Sequence, residues 1–416
     1  MTTIPTPGQL AWQHDGFGLF LHFGINTFNG EEWSNGTLDP ASFDPSDLDA
    51  AQWVDTAVSA GAKYVVLTAK HHDGFCLWPT ATTDYSVASS PWRDGKGDVV
   101  AELAAACHAA GIGLGLYLSP WDRNAECYDD PAAYDEFYVR QLTELCTRYG
   151  PLYELWFDGA GSEGRTYDWD AVMAVIEEHQ PDAMVFNMGR PTIRWVGNED
   201  GLADDPCRYV TETTGISVYD DGAAALDTAR YLPPECDVPI RANWFWQPDD
   251  LHTLKSRDQL LDIWYRSVGL GAALLLNVPP DRRGLIDEAD RARLLDFTGE
   301  LHRRLAQPVP ATLTVEGPEI VATFAEPIRI DHLELREDLT QGQRLDHHEV
   351  LAHGTPIAKG HTVGVRRVHT VEPVSLQELR IRLTGDDARL VSVDGYLAQG
   401  AETDGHLARS AADLGG

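Results

Sequence analysis

A short, nearly continuous apolar run followed by an amphipathic helical stretch recurs through the first three quarters of the chain. The runs are FGLFLHFGI (17–25), KYVVLTAK (63–70), GLGLYLS (113–119), YELWFDG (153–159), AMVFNMG (183–189) and AALLLNVPP (272–280), with weaker ones near 209–213 and 238–246. Because they do not alternate between apolar and polar residues, they suit strands covered on both faces. Helices set between them fit a parallel sheet, whose neighbouring strands need long crossovers. Helical spacing of apolar residues predicts those crossovers at 50–60, 98–110, 131–149, 168–180, 251–269 and 287–306. DPSD (44–47) and DEAD (287–290) place acids at helix starts, where the positive dipole end favours them. The fold predicted is α/β, a (β/α)8-like TIM barrel, and the Pro-, Gly- and acid-rich stretch 190–240 reads as long loops at its mouth.

Past QPVPATLTVEGPE (307–319) long helical patterns stop and alternating segments take over: EIVATFA, IRIDHLELRED, HEVLAHG and LQELRIRLTG. That change predicts a small C-terminal antiparallel β-sandwich. The expected organisation is a barrel over 1–306, a sandwich over 311–398 and a tail without packing pattern over 399–416. A length of 416 residues suits one large and one small domain.

Charge narrows the partners. Against 65 Asp and Glu stand 32 Lys and Arg, a formal net charge of −33, which repels phosphate backbones and anionic lipids. No stretch reaches the ~18 apolar residues of a membrane span, and the N-terminal residues show no charged leader with an apolar run. Neither a nucleic acid nor a membrane is therefore expected as partner, and a cytoplasmic location is. Six cysteines scattered without CxxC spacing read as reduced thiols.

A barrel carries its chemistry at the C-terminal ends of its strands. There the chain places His22, His71-His72-Asp73, Tyr117, Trp121-Asp122 and Trp156-Phe157-Asp158. Asp158 ends an apolar run, where an unpaired carboxylate is costly; it either caps the next loop or serves chemistry. His71 and His72 lack HxH or HExxH spacing, and adjacent strand residues face opposite ways, so hydrogen bonding to sugar hydroxyls is favoured over metal ligation. Trp33, Trp78, Trp92, Trp121, Trp156, Trp195, Trp244 and Trp246 add flat apolar faces of the kind sugars stack on.

FGLFLHFGINTF (17–28), EEWSNG (31–36), YVVLTAKHHDGFCLWPT (64–80), the YSV…PWRDGKGDVVAEL block (85–103), GLYLSPWDR (115–123) and LWFDG (155–159) together resemble glycoside hydrolase family 29, the α-L-fucosidases. The resemblance implies an exo-acting retaining enzyme that forms a covalent fucosyl intermediate without metal or organic cofactor. Its nucleophile falls on Asp158 and its sugar-binding residues on His22, Glu32, Trp33, His71, His72, Tyr117 and Trp156. RWVGNEDG (194–201), CDVPIRANWFW (236–246) and REDLTQGQR (336–344) resemble the branch acting on α-1,3 and α-1,4 linkages, which implies Glu199 as acid/base and Trp244 in the pocket. Glu163 and Glu212 compete for the acid/base role. The implied partner is a fucosylated oligosaccharide. Two rival readings are a fucose-binding barrel without catalysis and a metal-dependent amidohydrolase using His71, His72 and Asp158.

Overall fold

The computed structural model describes residues 3–217 and 220–398, so the expected tail at 399–416 lies outside it. The described residues form two compact units, one of 3–203, Tyr209–Val268 and Ala272–Asp296, the other of Asp204–Arg208, Gly269–Gly271 and 297–398.

Eight strands of the first unit make one parallel sheet: β1 (Phe17–Leu21), β2 (Tyr64–Lys70), β3 (Gly113–Leu118), β4 (Glu154–Trp156), β5 (Met184–Phe186), β6 (Arg194–Trp195) and, after a hairpin of β7 (Val210–Ser217) and β8 (Asp220–Tyr231), β9 (Pro234–Pro239) and β10 (Ala273–Asn277). Their order is β5-β4-β3-β2-β1-β10-β9-β6. A parallel bridge between Phe186 and Ile193 closes the ring, so the unit is a (β/α)8 barrel. Inside it, Phe20, Tyr64, Val66, Tyr117, Trp156, Met184, Phe186, Trp195 and Leu275 form one buried cluster.

The helices are α1 (Pro7–Asp15), α2 (Ile25–Asn29), α3 (Ala50–Ser59), α4 (Val99–Ala110), α5 (Pro131–Arg148), α6 (Trp169–His179), α7 (Arg257–Arg266) and α8 (Glu288–Leu305). Asp49, Asp98, Asp130 and Asp168 cap α3 to α6, each accepting a backbone N–H of the first turn. Part of the acidity of the chain is thus spent on helix starts.

Three expectations are corrected. The apolar stretch at 209–213 does become a strand, but β7 pairs antiparallel with β8 outside the barrel. Its barrel place goes to β6 and β9, the first too short to show a period and the second carrying inward Glu235 and Asp237, which disguise an apolar strand. The strand expected over 238–246 ends at Pro239; beyond it buried Arg241 pairs with Asp250 at 2.6 Å and Asp290 at 2.8 Å, fixing a loop instead. Finally, 251–269 is not one helix: Lys255 N–H bonds to Ile240 O at 2.9 Å, and Ser256 and Gln259 then form the capping box that starts α7.

In the second unit β11 (Val309–Glu316), β12 (Glu319–Glu337), β13 (His347–Ala352), β14 (Thr355–Gly360), β15 (Arg367–Thr384) and β16 (Leu390–Tyr396) are all antiparallel. The register of β12 shifts between Thr323 and Ile328, so its first half pairs with β11 and its second with β16. Such breaks bend a strand and fold the sheet over itself. Phe324, Ile330, Leu333, Leu335, Val350, Leu379, Ile381 and Val393 fill the β-sandwich core.

Candidate active site

A cavity of about 250 Å³ opens at the C-terminal ends of the barrel strands, lined by His22, Glu32, Trp33, His71, His72, Tyr117, Trp156, Asp158, Glu199 and Trp244. All ten residues singled out from the sequence thus meet in one place, Tyr117 and Trp156 at the ends of β3 and β4 and the others on the segments that follow β1, β2, β4, β6 and β9. Glu163 and Glu212 are exposed and do not line it. His71 and His72 both face the cavity with ring centroids 4.2 Å apart, contrary to the alternation expected of a strand, because β2 already ends at Lys70.

Asp158 is the best-supported carboxylate. Its Oδ1 accepts Ala160 N–H at 2.8 Å and its Oδ2 accepts the Tyr117 hydroxyl at 3.1 Å, with His72 Nε2 at 3.5 Å. Burial pushes its pKa up, but His72, the Ala160 amide and Tyr117 outweigh that and hold it below the ordinary aspartate value. Its side chain keeps 26% exposure toward the cavity, so an incoming group can reach it. His72 is aimed by Ser119: the Ser119 hydroxyl donates to Trp121 O at 2.6 Å and so accepts from His72 Nδ1 at 2.7 Å.

Glu199 has the opposite character. Burial first, and then the negative charge of Asp158, raise its pKa, against a hydrogen bond from Trp244 Nε1 at 3.3 Å. Trp244 is itself held by Glu32, whose carboxylate accepts the backbone N–H of Trp244 at 3.0 Å and of Phe245 at 3.2 Å. Burial nevertheless pushes Glu32 up to about 7.

The remaining polar groups suit a neutral, hydroxyl-rich ligand. His22 Nδ1 meets Asn277 Oδ1 at 2.9 Å, and the Asn277 amide is oriented by donating to Trp244 O at 2.8 Å. His22 therefore donates from Nδ1 and offers Nε2 as an acceptor. Burial lowers its pKa to about 3 and keeps His71 far below the usual histidine range, so both rings stay uncharged. Trp156 stacks on Phe186 at 3.9 Å and 10° and on Tyr117 at 5.4 Å, forming a flat apolar wall. Trp33, 37% exposed, lies edge-on to His72 at the rim. Among the described residues no group of three or more His, Cys, Asp or Glu side chains is arranged to hold a metal ion.

Among the lining residues that the sequence does not mark as site residues, Asp237, Asn187 and Trp195 are hydrogen-bonded to one another in the wall. Asp237 accepts Trp195 Nε1 at 2.7 Å. Asn187, with φ +64°, accepts Trp195 N–H at 3.2 Å and donates to Gly215 O at 2.6 Å, tying the β7–β8 hairpin to the wall. In the sequence Trp195 stands out only as one of many tryptophans. The signal available was the alternation of ECDVP, which turns Glu235 and Asp237 to one face.

Residues 6–303 match the family profile described as Alpha-L-fucosidase. Alpha-L-fucosidase 1 of Arabidopsis thaliana is 40% identical over 95% of this chain and 87% of its own length. A glycoside hydrolase 29 family member from an unknown rumen bacterium superposes with a TM-score of 0.86 at 33% identity, over 99% of this chain and 78% of that one. A Ruminococcus gnavus GH29 fucosidase solved in complex with fucose gives 0.82 at 28% identity, over 94% of both chains. A profile match across nearly the whole barrel, joined to a sugar-shaped set of groups at its C-terminal end, makes the chain a member of the α-L-fucosidases, glycoside hydrolase family 29.

Proposed function

We propose that this protein is an exo-acting, retaining α-L-fucosidase that removes terminal α-1,3- or α-1,4-linked L-fucose from oligosaccharides. One observation carries the mechanism: two carboxyls line one cavity, and their surroundings push the pKa of Asp158 down and that of Glu199 up. Such a separation supplies a nucleophile and an acid at the same pH. Asp158 attacks the anomeric carbon while Glu199 gives its proton to the departing glycosidic oxygen, leaving an ester between fucose and Asp158. Glu199, now a carboxylate, takes a proton from water as that water attacks the same carbon; the ester bond breaks, Asp158 is released and fucose leaves with its configuration kept.

The neutral His22 and His71 serve as hydroxyl partners, and the stacked row of Tyr117, Trp156 and Phe186 presents its apolar edges to the ring. The linkage preference rests on the resemblance of RWVGNEDG and CDVPIRANWFW to the branch with that specificity. It is tested with a panel of α-1,2-, α-1,3-, α-1,4- and α-1,6-fucosylated oligosaccharides in the presence of EDTA, the first-formed anomer being followed by NMR. The expected result is release of α-L-fucose from the 1,3 and 1,4 members, unaffected by chelator. First formation of β-L-fucose overturns the retaining mechanism, and loss of activity in EDTA with recovery in zinc restores the metal reading.

A pH dependence follows from the same pair. Turnover requires Asp158 ionised and Glu199 protonated, so kcat/KM falls as pH drops through the lowered pKa of Asp158 and again as pH rises through the raised pKa of Glu199. Glu199→Gln, assayed on an activated aryl fucoside, should keep the acidic limb and lose the alkaline one. An unchanged alkaline limb assigns it to another group.

A further inference from the structure

Beneath the sugar cavity the barrel interior holds two more carboxyls, which the mechanism does not use. Glu154 of β4 and Glu235 of β9 are both 0% exposed. Trp12 Nε1 donates to Glu154 Oε2 at 3.1 Å, while Glu154 Oε1, both oxygens of Glu235, the Tyr64 hydroxyl and the Trp156 indole N–H are buried without a hydrogen-bond partner. These groups nevertheless act on one another: Glu154 and Glu235 perturb each other and both perturb Tyr64, and the Trp156 N–H lies close enough to Glu235 to stabilise its ionised form. Trp156 follows Glu154 by two residues on β4 and so points the same way into the barrel.

Two ionised carboxylates cannot share a dry site, because each resists desolvation and the two repel. The other titratable groups facing the pair are Tyr64 on β2, Tyr153 before β4, Asp15 at the end of α1 and Asp237 on β9, and none brings a positive charge. A retained proton is the available remedy.

We propose that Glu154 and Glu235 form a carboxylic acid–carboxylate pair, joined by that proton, which positions Trp156 as the wall of the sugar pocket. The proposal rests on the reading that Trp156 faces the sugar. In this arrangement the protonated carboxyl donates to its partner, Trp12 fixes Glu154 from one side, and Glu235 receives the Trp156 N–H from the other. With its edge anchored and its face stacked on Phe186, the indole has one orientation. Burial raises the pKa of both carboxyls above the ordinary glutamate value; at Glu235 the charge of Glu154 adds to the rise, while at Glu154 the interactions with Glu235 and Trp12 oppose it. Their sign is therefore fixed: as pH rises above the unfolded value the unfolded chain releases a proton that the folded pair keeps, and stability falls until the pair itself titrates.

Glu235→Gln and Glu235→Leu in the full chain provide the test. Glutamine preserves a donor and an acceptor but removes one titrating group. Relative to wild type, the unfolding constant of Glu235→Gln between pH 5 and 7 should change less steeply, by up to about tenfold per pH unit, the effect of one linked proton. Its KM for an aryl fucoside should stay within about threefold, whereas Glu235→Leu should raise KM roughly tenfold with a smaller change in kcat, the mark of disturbed binding rather than chemistry. Equal pH slopes for wild type and Glu235→Gln overturn the shared proton, and this readout stands even if the leucine variant does not fold. A normal KM in folded Glu235→Leu overturns the positioning role alone. Neither result bears on Asp158 and Glu199, whose variants report on the catalytic reading independently.

Discussion

Asp158→Ala is expected to lower turnover by roughly 10⁴–10⁶-fold, the range seen when an enzyme loses the group that forms its covalent intermediate. The fold should survive. Asp158 follows β4 by two residues and is 26% exposed to the cavity, so water can take over the hydrogen bonds that Ala160 N–H and Tyr117 now direct at it. No other carboxyl in the cavity has a lowered pKa; Glu199, Glu32 and Asp237 are all shifted upward by burial. Azide is small enough for the space the side chain vacates and should restore part of the rate, giving fucosyl azide of inverted configuration because it attacks from the nucleophile's side. Turnover near wild type in a folded Asp158→Ala, measured by fucose release and circular dichroism on one preparation, would falsify the assignment.

The second large effect belongs to Glu199, and its signature is an asymmetry rather than a uniform loss. Glu199→Ala should slow hydrolysis of a fucosylated oligosaccharide by roughly 10²–10⁴-fold, since a sugar alkoxide departs poorly without a proton. An activated aryl fucoside needs little help to leave and should lose less than about tenfold in kcat/KM. Its kcat should still fall, because the fucosyl-enzyme then waits for a water without a base, and azide should relieve that step with retained configuration. The position of Glu199 is governed through Trp244, whose indole donates to it and whose backbone is held by Glu32. Glu163 and Glu212, exposed and away from the cavity lining, should tolerate alanine with little change. Equal slowing of both substrates in Glu199→Ala, or leaving-group dependence in either of the other variants, transfers the role elsewhere.

Much of this site was legible in the chain because it lies at strand ends. His22, His71, His72, Tyr117 and Asp158 each stand within two residues of the end of a strong apolar run, and a barrel gathers such ends at one face. Glu199 was reached only through motif resemblance: β6 before it is two residues long, too short for any period to register. Asp237 was overlooked for a related reason, since inward acids on β9 break the apolar pattern by which buried strands are recognised.

By itself, then, the sequence determined the alternation of strand and helix, the change to β-structure after residue 307 and the polar residues at strand ends, His22, His71, His72, Tyr117 and Asp158, that meet in the cavity, while Glu32, Glu199 and Trp244 entered through family resemblance. These are local matters of spacing, propensity and side-chain chemistry. Tertiary structure alone decided that β7 leaves the barrel for a hairpin while β9 enters it, that Glu32 reaches across 212 residues of chain to hold Trp244, and that Glu154 and Glu235 are buried within reach of each other inside the barrel. It also decided which carboxyl has its pKa raised and which has it lowered. Asp158 and Glu199 begin with nearly the same intrinsic acidity, and what separates them is His72, the Ala160 amide and Tyr117 around one and burial beside a negative charge around the other, surroundings that exist only once distant strands have closed into a ring.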